Sequence, residues 1–186
     1  REIPAGDGSA QHFLEVLRKA RIVSLGGRKK IFTVKTPIMV NNGDASIIAV
    51  PHDRGFMLSY TIDFSGSFIK KQTYDIELTE SNFCKEIAPA RTFGLSTNVD
   101  EFKKLGLGKG ITDENSIIVH KDGKITKPIS MESAELRFPD EFVRHKVLDL
   151  IGDLYLANVL IHGRIIANKS GQSLNVQLAK KIAKVA

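Results

Sequence analysis

Tryptophan is absent from the 186 residues of this chain, and cysteine occurs once, at Cys84. A single cysteine excludes an intramolecular disulfide and a zinc site made only of cysteines, and it favours a reducing, cytosolic compartment. No apolar run reaches the roughly 20 residues that a membrane helix needs, and the N-terminus lacks a signal-peptide pattern. Proline and glycine are not enriched, with 6 and 15 residues. This composition favours a folded chain with one hydrophobic core.

Acidic residues are outnumbered by basic ones, which gives a net charge of +6 and a pI of about 9.4. Such a charge fits nucleic acid, an anionic membrane leaflet or a phosphate-bearing small molecule equally well. The basic residues form only small clusters, at 28–30, at 70–71 and in the C-terminal tail, without zinc-finger spacing or an RNA-recognition motif. With no tryptophan for base stacking, a solvated basic face is favoured over a nucleic-acid interface.

The hydrophobic pattern changes near residues 26–30, and this change predicts a boundary. Apolar residues at helical spacing predict a helix over 7–20, and strict alternation predicts a strand over 56–63. The other predicted strands are 31–36, 37–40, 45–50, 72–79, 116–120 and 163–168, and the other predicted helices are 80–88, 98–105, 139–157 and a last one from about 173. Strands followed by helices, without regular βαβ alternation, predict an α+β fold. In it a mostly antiparallel or mixed sheet packs on helices as a two-layer sandwich.

The helix over 139–157 carries a polar stripe. His145, Asp149 and Asp153 recur every four residues, so their side chains lie along one side of the helix. An imidazole and a carboxylate one turn apart can ligate the same metal ion. Any amphipathic helix also has a polar side, so a solvated face is the competing interpretation. Aspartate is a poor residue for a helix interior, and its repeated use on one stripe strengthens the metal interpretation, although both interpretations stay open on spacing alone.

Several motifs follow one another along the chain. They are Asp7-Gly-Ser-Ala10, Ala90-Arg-Thr-Phe-Gly94, Gly106-Leu-Gly-Lys-Gly110, the block 136–156, and Lys169-Ser-Gly171 with Leu174-Asn175. With these motifs the chain resembles the UDP-3-O-acyl-N-acetylglucosamine deacetylases over nearly its whole length, and the block 136–156 is the most specific part. The resemblance implies a two-domain, zinc-dependent enzyme of the cytoplasm. Such an enzyme hydrolyses the acetamide of a UDP-linked acyl-glucosamine, the committed step of lipid A biosynthesis.

The resemblance also implies a division of the chain and a set of chemical roles. Residues 1–25 would carry the tail helix of a truncated N-terminal domain, and 26–186 would form the C-terminal domain. A start at Arg1 rather than Met agrees with a fragment or a processed product. His145 and Asp149 would be two of three protein zinc ligands. Asp153 would orient a catalytic histidine, and the Thr92 hydroxyl would help to hold the oxyanion.

Four further residues would contact the substrate. Phe93 would lie beside the sugar, Lys146 would contact substrate in the same cavity, and Val99 and Leu107 would line the channel for the acyl chain. Each has a plainer interpretation from its residue type alone, as a core apolar side chain or a solvated lysine. The resemblance, and not the spacing of these residues, favours the binding roles.

Two departures from the family pattern bear on catalysis. The third zinc ligand in the family is a histidine preceded by a glutamate base, and no Glu-His pair occurs in this chain. The general-acid histidine should follow Lys-Ser-Gly, where this chain has Gln172. A glutamine amide can donate a hydrogen bond but cannot supply a proton near neutral pH. Two hypotheses therefore stand: a zinc-dependent amide hydrolase, which is favoured, and a non-catalytic or weakly active homologue that binds a nucleotide-sugar or lipid ligand.

Overall fold

Six strands form the main sheet in the computed structural model, which describes residues 6–98, 106 and 109–186. The strands are β1 (Ile31–Thr33), β2 (Ile38–Asn42), β3 (Ala45–Val50), β4 (Phe56–Ile62), β5 (Gln72–Glu77) and β9 (Leu160–Asn168). Their order is β2-β3-β9-β4-β5, and β1 pairs with the beginning of β9. Strand β9 runs parallel to β1 and β4 and antiparallel to β3, so the sheet is mixed. The last strand in sequence is therefore the centre of the sheet.

One face of this sheet is buried because apolar residues alternate along its strands. Ile161, Ile165 and Ala167 of β9 are buried, whereas Ile166 between them is exposed. Leu58 and Tyr60 of β4 continue the same buried face. This period of two is the one that a sheet covered on one side requires.

Two long helices cover the buried face. We label the helices α1 (Gln11–Lys19), α2 (Glu80–Asn82, continued by a π-helical turn over Phe83–Ile87), α3 (Glu141–Tyr155) and α4 (Gln172–Val185). Helix α3 packs on β4 and β5, α4 packs on β2 and β3, and the two helices contact each other. On α3, Val143, Val147 and Leu150 are completely buried. This packing fixes the position of the polar stripe of α3 relative to the sheet.

A smaller sheet lies beside this sandwich. It consists of β6 (Phe93–Leu95), β7 (Ile117–Val119) and β8 (Ile125–Thr126), with β6 and β7 parallel and β7 and β8 antiparallel. Strand β6 begins inside the motif at 90–94, so this sheet fixes one end of that motif.

The predicted α+β sandwich is confirmed, with differences in the elements. Strand β9 begins three residues before the predicted 163–168, and β6 and β8 were not predicted. Most of the helix predicted over 98–105 lies outside the described residues, which resume at 106 and then at 109. No helix among the described residues is both long enough and apolar enough to cross a membrane.

Candidate metal and substrate site

His145 and Asp149 converge on the surface of α3. Their Nε2 and Oδ1 atoms are 3.6 Å apart, and the imidazole is buried, with 8% of the residue exposed. Zinc bonds to imidazole nitrogen and carboxylate oxygen are each about 2.0–2.2 Å long, so two donors at this separation fit two ligands of one ion. Among residues 6–98, 106 and 109–186, no group of three His, Cys, Asp or Glu side chains could hold a metal ion. The pair is therefore a partial donor set.

The other ring nitrogen of His145 is held by the main chain. Nδ1 lies 3.1 Å from the carbonyl oxygen of Ala90. A carbonyl only accepts hydrogen bonds, so Nδ1 carries the proton and Nε2 keeps its lone pair. Burial lowers the pKa of His145, although the Asp149 carboxylate and the Ala90 hydrogen bond act in the opposite direction. The neutral ring, which is the form that ligates metals, is thereby favoured.

Thr92 lies between two residues, Ala90 and Phe93, that both contact the imidazole of His145. The Ala90 carbonyl bonds the imidazole, and the Phe93 ring stands edge-on to it with centroids 6.3 Å apart. The Thr92 N–H donates to the carbonyl of Gly8 at 2.9 Å. Gly8 has a φ of +79°, and a Cβ there would lie 2.1 Å from the carbonyl oxygen of Asn115, so only glycine fits. The N-terminal motif thus supports the segment that carries Thr92.

Lys146 lies next to the proposed ligand pair. Its Nζ donates to Oδ2 of Asp149 at 2.5 Å, while the other oxygen of Asp149 faces His145. The Lys146 side chain is 19% exposed. The ammonium group therefore neutralises the carboxylate and fixes its orientation, and contact of Lys146 with substrate stays a prediction.

Asp153 is linked to α4 rather than to a histidine. Asn175, which is completely buried, donates from Nδ2 to Oδ2 of Asp153 at 2.9 Å and accepts from the Ser170 hydroxyl at 2.6 Å. The Tyr60 hydroxyl donates to the carbonyl of Ser170. Gln172, the first residue of α4, is exposed. The part of Asp153 in orienting a catalytic group is untested.

Burial and neighbouring negative charges raise the pKa values of two side chains here, Asp153 and Tyr60. Burial raises the pKa of Asp153, the Asn175 hydrogen bond lowers it, and the Asp149 carboxylate raises it. Burial also raises the pKa of Tyr60, as do the charges of Asp149 and Asp153. Asp153 consequently holds its proton to higher pH than an ordinary aspartate, and Tyr60 remains a hydrogen-bond donor.

Four residues of this region had no role assigned from the sequence: Tyr60, Arg91, Glu141 and Asn175. Arg91 and Asn175 lie inside the motifs at 90–94 and 174–175, and Glu141 lies in the block 136–156. For these three residues the position inside a motif was the available signal, whereas Tyr60 lies in none of the motifs. Val99 and Leu107, which were predicted to line an acyl channel, lie outside the described residues.

The fold and this geometry define a class: an α+β protein with a candidate metal centre on the helix that covers its mixed sheet. The sequence profile of one family, described as UDP-3-O-acyl N-acetylglycosamine deacetylase, matches residues 1–184. The chain belongs to this family, as the resemblance in its motifs implied.

Relatives named UDP-3-O-acyl-N-acetylglucosamine deacetylase agree with that assignment. Those of Thermodesulfovibrio yellowstonii and Anaeromyxobacter dehalogenans are 36% and 39% identical to the chain over 181 residues, which are 97% of this chain. The relative of Bdellovibrio bacteriovorus is 39% identical over the same share. The matched regions make up 59%, 56% and 58% of these three proteins. The chain thus spans little more than half the length of these relatives.

Proposed function

We propose that this chain is the larger part of a zinc-dependent deacetylase that hydrolyses the acetamide of UDP-3-O-acyl-N-acetylglucosamine. The observation that carries the proposal is the 3.6 Å approach of His145 Nε2 to Asp149 Oδ1, beside a segment whose Ala90 and Phe93 both contact the imidazole. Membership of the deacetylase family supports the reaction and the substrate. The resemblance implies that this hydrolysis is the committed step of lipid A biosynthesis.

His145 and Asp149 would hold the zinc ion, and the third protein ligand would come from the region that the relatives have beyond this chain. Bound zinc lowers the pKa of a water molecule toward neutrality and polarises the amide carbonyl. The hydrogen bond from Nδ1 to Ala90 keeps the imidazole in the tautomer that can ligate. Lys146 holds the Asp149 carboxylate in place.

The substrate would lie along the segment 92–93 and the polar stripe of α3. The Thr92 hydroxyl donates to the oxygen that becomes negatively charged as the acetamide carbonyl is attacked. The Phe93 ring, which packs on Phe142 at 4.8 Å between centroids, presents an apolar surface to the sugar. Val99 and Leu107 complete the proposal as lining residues for the acyl chain.

Two observations favour a second candidate, a homologue that binds the nucleotide-sugar or a lipid and reacts slowly or not at all. Gln172 stands where a general acid is expected, and Asp153 bonds Asn175. Loss of a general acid lowers a rate by about 10² to 10⁴-fold. We propose the hydrolase first, since His145, Asp149, Asp153, Thr92 and Lys146 are all present.

The exposed apolar face of α1 supports a further part of the proposal, that the N-terminal region of the same protein packs there. Phe13, Val16 and Leu17 lie on one face of α1 and are 54%, 67% and 56% exposed. No residue of α1 is buried.

We place the protein in the cytoplasm, in agreement with the free cysteine Cys84.

Three variants of the complete gene product test the function. Acetate release from the UDP-linked substrate should require zinc, and His145→Ala should abolish it, because one of the ligands is lost. Gln172→His should raise kcat by about 10² to 10⁴-fold if a proton donor is all that is missing. Ser173→Ala, an exposed change one residue further along α4, is the control and should leave kcat unchanged.

The outcomes separate the two candidates. Zinc-dependent acetate release that is lost in His145→Ala supports the hydrolase. A protein that binds substrate tightly in equilibrium dialysis but releases no acetate, with no gain in Gln172→His, supports the binding role.

A further inference from the structure

Glu141, in the first turn of α3, is a carboxylate with no exposed surface. Its Oε1 accepts hydrogen bonds from the backbone N–H and the Nε of Arg91, both at 2.9 Å. Its Oε2 accepts from Nη2 of Arg91 at 3.0 Å and from the backbone N–H of Arg137 at 2.7 Å. A buried carboxylate is tolerated only when it is paired and hydrogen-bonded, and four donors meet that condition. The contact between Glu141 and Arg91 is therefore fixed.

The Arg91 N–H and the Ala90 carbonyl belong to the same peptide group. That group is planar, so the direction of its N–H determines the direction of its C=O. The N–H donates to Glu141, and the C=O accepts from Nδ1 of His145 at 3.1 Å. Glu141 and His145 are four residues apart on α3, one turn of the helix. One peptide plane is thus held between two side chains of the same helix.

We propose that Glu141 is a positioning residue for His145: through the Ala90–Arg91 peptide plane it holds the proton on Nδ1 and leaves Nε2 free to ligate a metal. The importance of Nε2 rests on the proposed function, whereas the effect on the tautomer does not. Glu141 makes no hydrogen bond to His145 or Asp149, so its hydrogen-bonded link to the imidazole runs through the carbonyl of Ala90. Its negative charge also raises the pKa of His145, but that effect does not select between the two neutral tautomers. The protonated Nδ1 is what distinguishes this role from a general contribution to folding.

The test is the tautomer of His145 in the metal-free 186-residue chain, read from long-range ¹H–¹⁵N spectra. The pH is kept well above the ordinary histidine pKa of about 6.5, and the signals of His145 are those missing from His145→Ala. The parent should show the Nδ1–H tautomer. Glu141→Ala removes all four acceptor contacts, so the Nε2–H tautomer should become populated. The Kd for zinc alone, measured by competition with a chelating dye, should rise by about 10 to 100-fold.

Asp140→Asn is the matched control, because Asp140, the N-cap of the same helix, pairs with Arg144 and its carboxylate is not among the hydrogen-bond partners of Ala90 or Arg91. It should keep the Nδ1–H tautomer even if it lowers the melting temperature. Should Glu141→Ala not fold, Glu141→Gln replaces it; one oxygen becomes an amide that cannot accept, and a smaller change in the same direction is expected. A folded Glu141 variant with the tautomer and zinc Kd of Asp140→Asn would overturn the proposal. If the tautomer changes as expected while His145→Ala binds zinc as the parent does, the positioning role stands and the metal assignment fails.

Discussion

Asp153 illustrates at the scale of one residue how burial and hydrogen bonding compete. Burial raises the pKa of its carboxyl, and the hydrogen bond from Asn175 opposes that rise. The donor is a side-chain amide with no exposed surface, and it is itself held by the Ser170 hydroxyl. Asn175 therefore has a chemical effect on the stripe of α3 even though it lies on α4.

Replacing Asn175 with Ala should raise the pKa of Asp153 further, because the ionised carboxylate loses its donor. The variant should lose about 1–3 kcal/mol of the free energy of unfolding at neutral pH. A raised pKa in the folded state penalises the ionised form, so this loss should become smaller as the pH falls and Asp153 takes up its proton. Carboxyl ¹³C titration and urea unfolding at several pH values measure the two effects.

The control for Asn175→Ala is Ser173→Ala, an exposed residue in the same turn of α4. It should leave both the titration of Asp153 and the unfolding free energy unchanged. An unchanged Asp153 titration in Asn175→Ala would mean that the amide does not bond the carboxylate in solution.

Helix α3 shows at the scale of an element why part of the site could be predicted. The approach of His145 to Asp149 follows from helical spacing alone, since side chains four residues apart are neighbours. The partners that set its chemistry do not follow from spacing. Ala90 precedes His145 by 55 residues, and Asn175 follows Asp153 by 22. These contacts exist only because tertiary packing brings segment 90–93 and α4 onto α3.

The strands also show that a local sequence pattern does not predict contacts between distant segments. The strands predicted over 45–50 and 56–63 agree with β3 and β4 to within one residue. For β4 the alternation of apolar residues was the signal. The start of β9 was predicted three residues too late, at 163. Its first residues are held by parallel pairing with β1, 129 residues earlier at Ile31↔Leu160, and the local pattern does not contain that pairing. The three-residue strand β6 is likewise fixed by β7 and not by its own pattern. Pairing between distant segments is what local patterns do not contain.

The apolar face of α1 leads to a prediction about the element itself. Leu17→Asp should change the unfolding free energy of this chain by less than about 0.5 kcal/mol, because Leu17 is exposed in it. In the complete gene product the same change should cost about 2 kcal/mol or more if the N-terminal region covers this face. Chemical unfolding of both forms measures the difference. Lys19→Asp, at an exposed charged position of α1, is the control, and an equal effect of Leu17→Asp in both forms would contradict the packing.

At the scale of the whole molecule, the N-terminal motif and the region before α3 are joined across 130 residues. Asp7 Oδ2 accepts from Nη2 of Arg137 at 2.5 Å, and Nη1 of Arg137 donates to the carbonyl of Pro89 at 2.9 Å. The Ala10 N–H donates to the carbonyl of Ala88. The beginning of the described chain is thus part of the support for segment 90–93, while the domain boundary near residue 25 stays a prediction.

Because Asp7 is paired with Arg137, the free energy of unfolding should depend on pH in a defined acidic range. Burial would raise the pKa of Asp7, but hydrogen bonds from Ser9 and Arg137 outweigh it and lower that pKa to about 2. The ordinary value in an unfolded chain is about 3.9. Between these values the unfolded state binds the proton and the folded state does not, so stability falls as the pH drops from about 4 toward 2. At pH 6 the ionised Asp7 should contribute on the order of 1 kcal/mol.

Asp7→Asn isolates this contribution because asparagine does not titrate. The free energy of unfolding, measured by urea at pH values between 6 and 2, should differ between parent and variant most at pH 6. The difference should shrink toward pH 2, where the parent also loses its charge. Asp53→Asn provides the comparison, since that carboxylate is 89% exposed and its removal should have little effect at any pH. A difference between parent and Asp7→Asn that stayed constant down to pH 2 would show that Asp7 and Arg137 are not paired, and the support of segment 90–93 by the N-terminal motif would then rest on the backbone hydrogen bonds of Gly8 and Ala10.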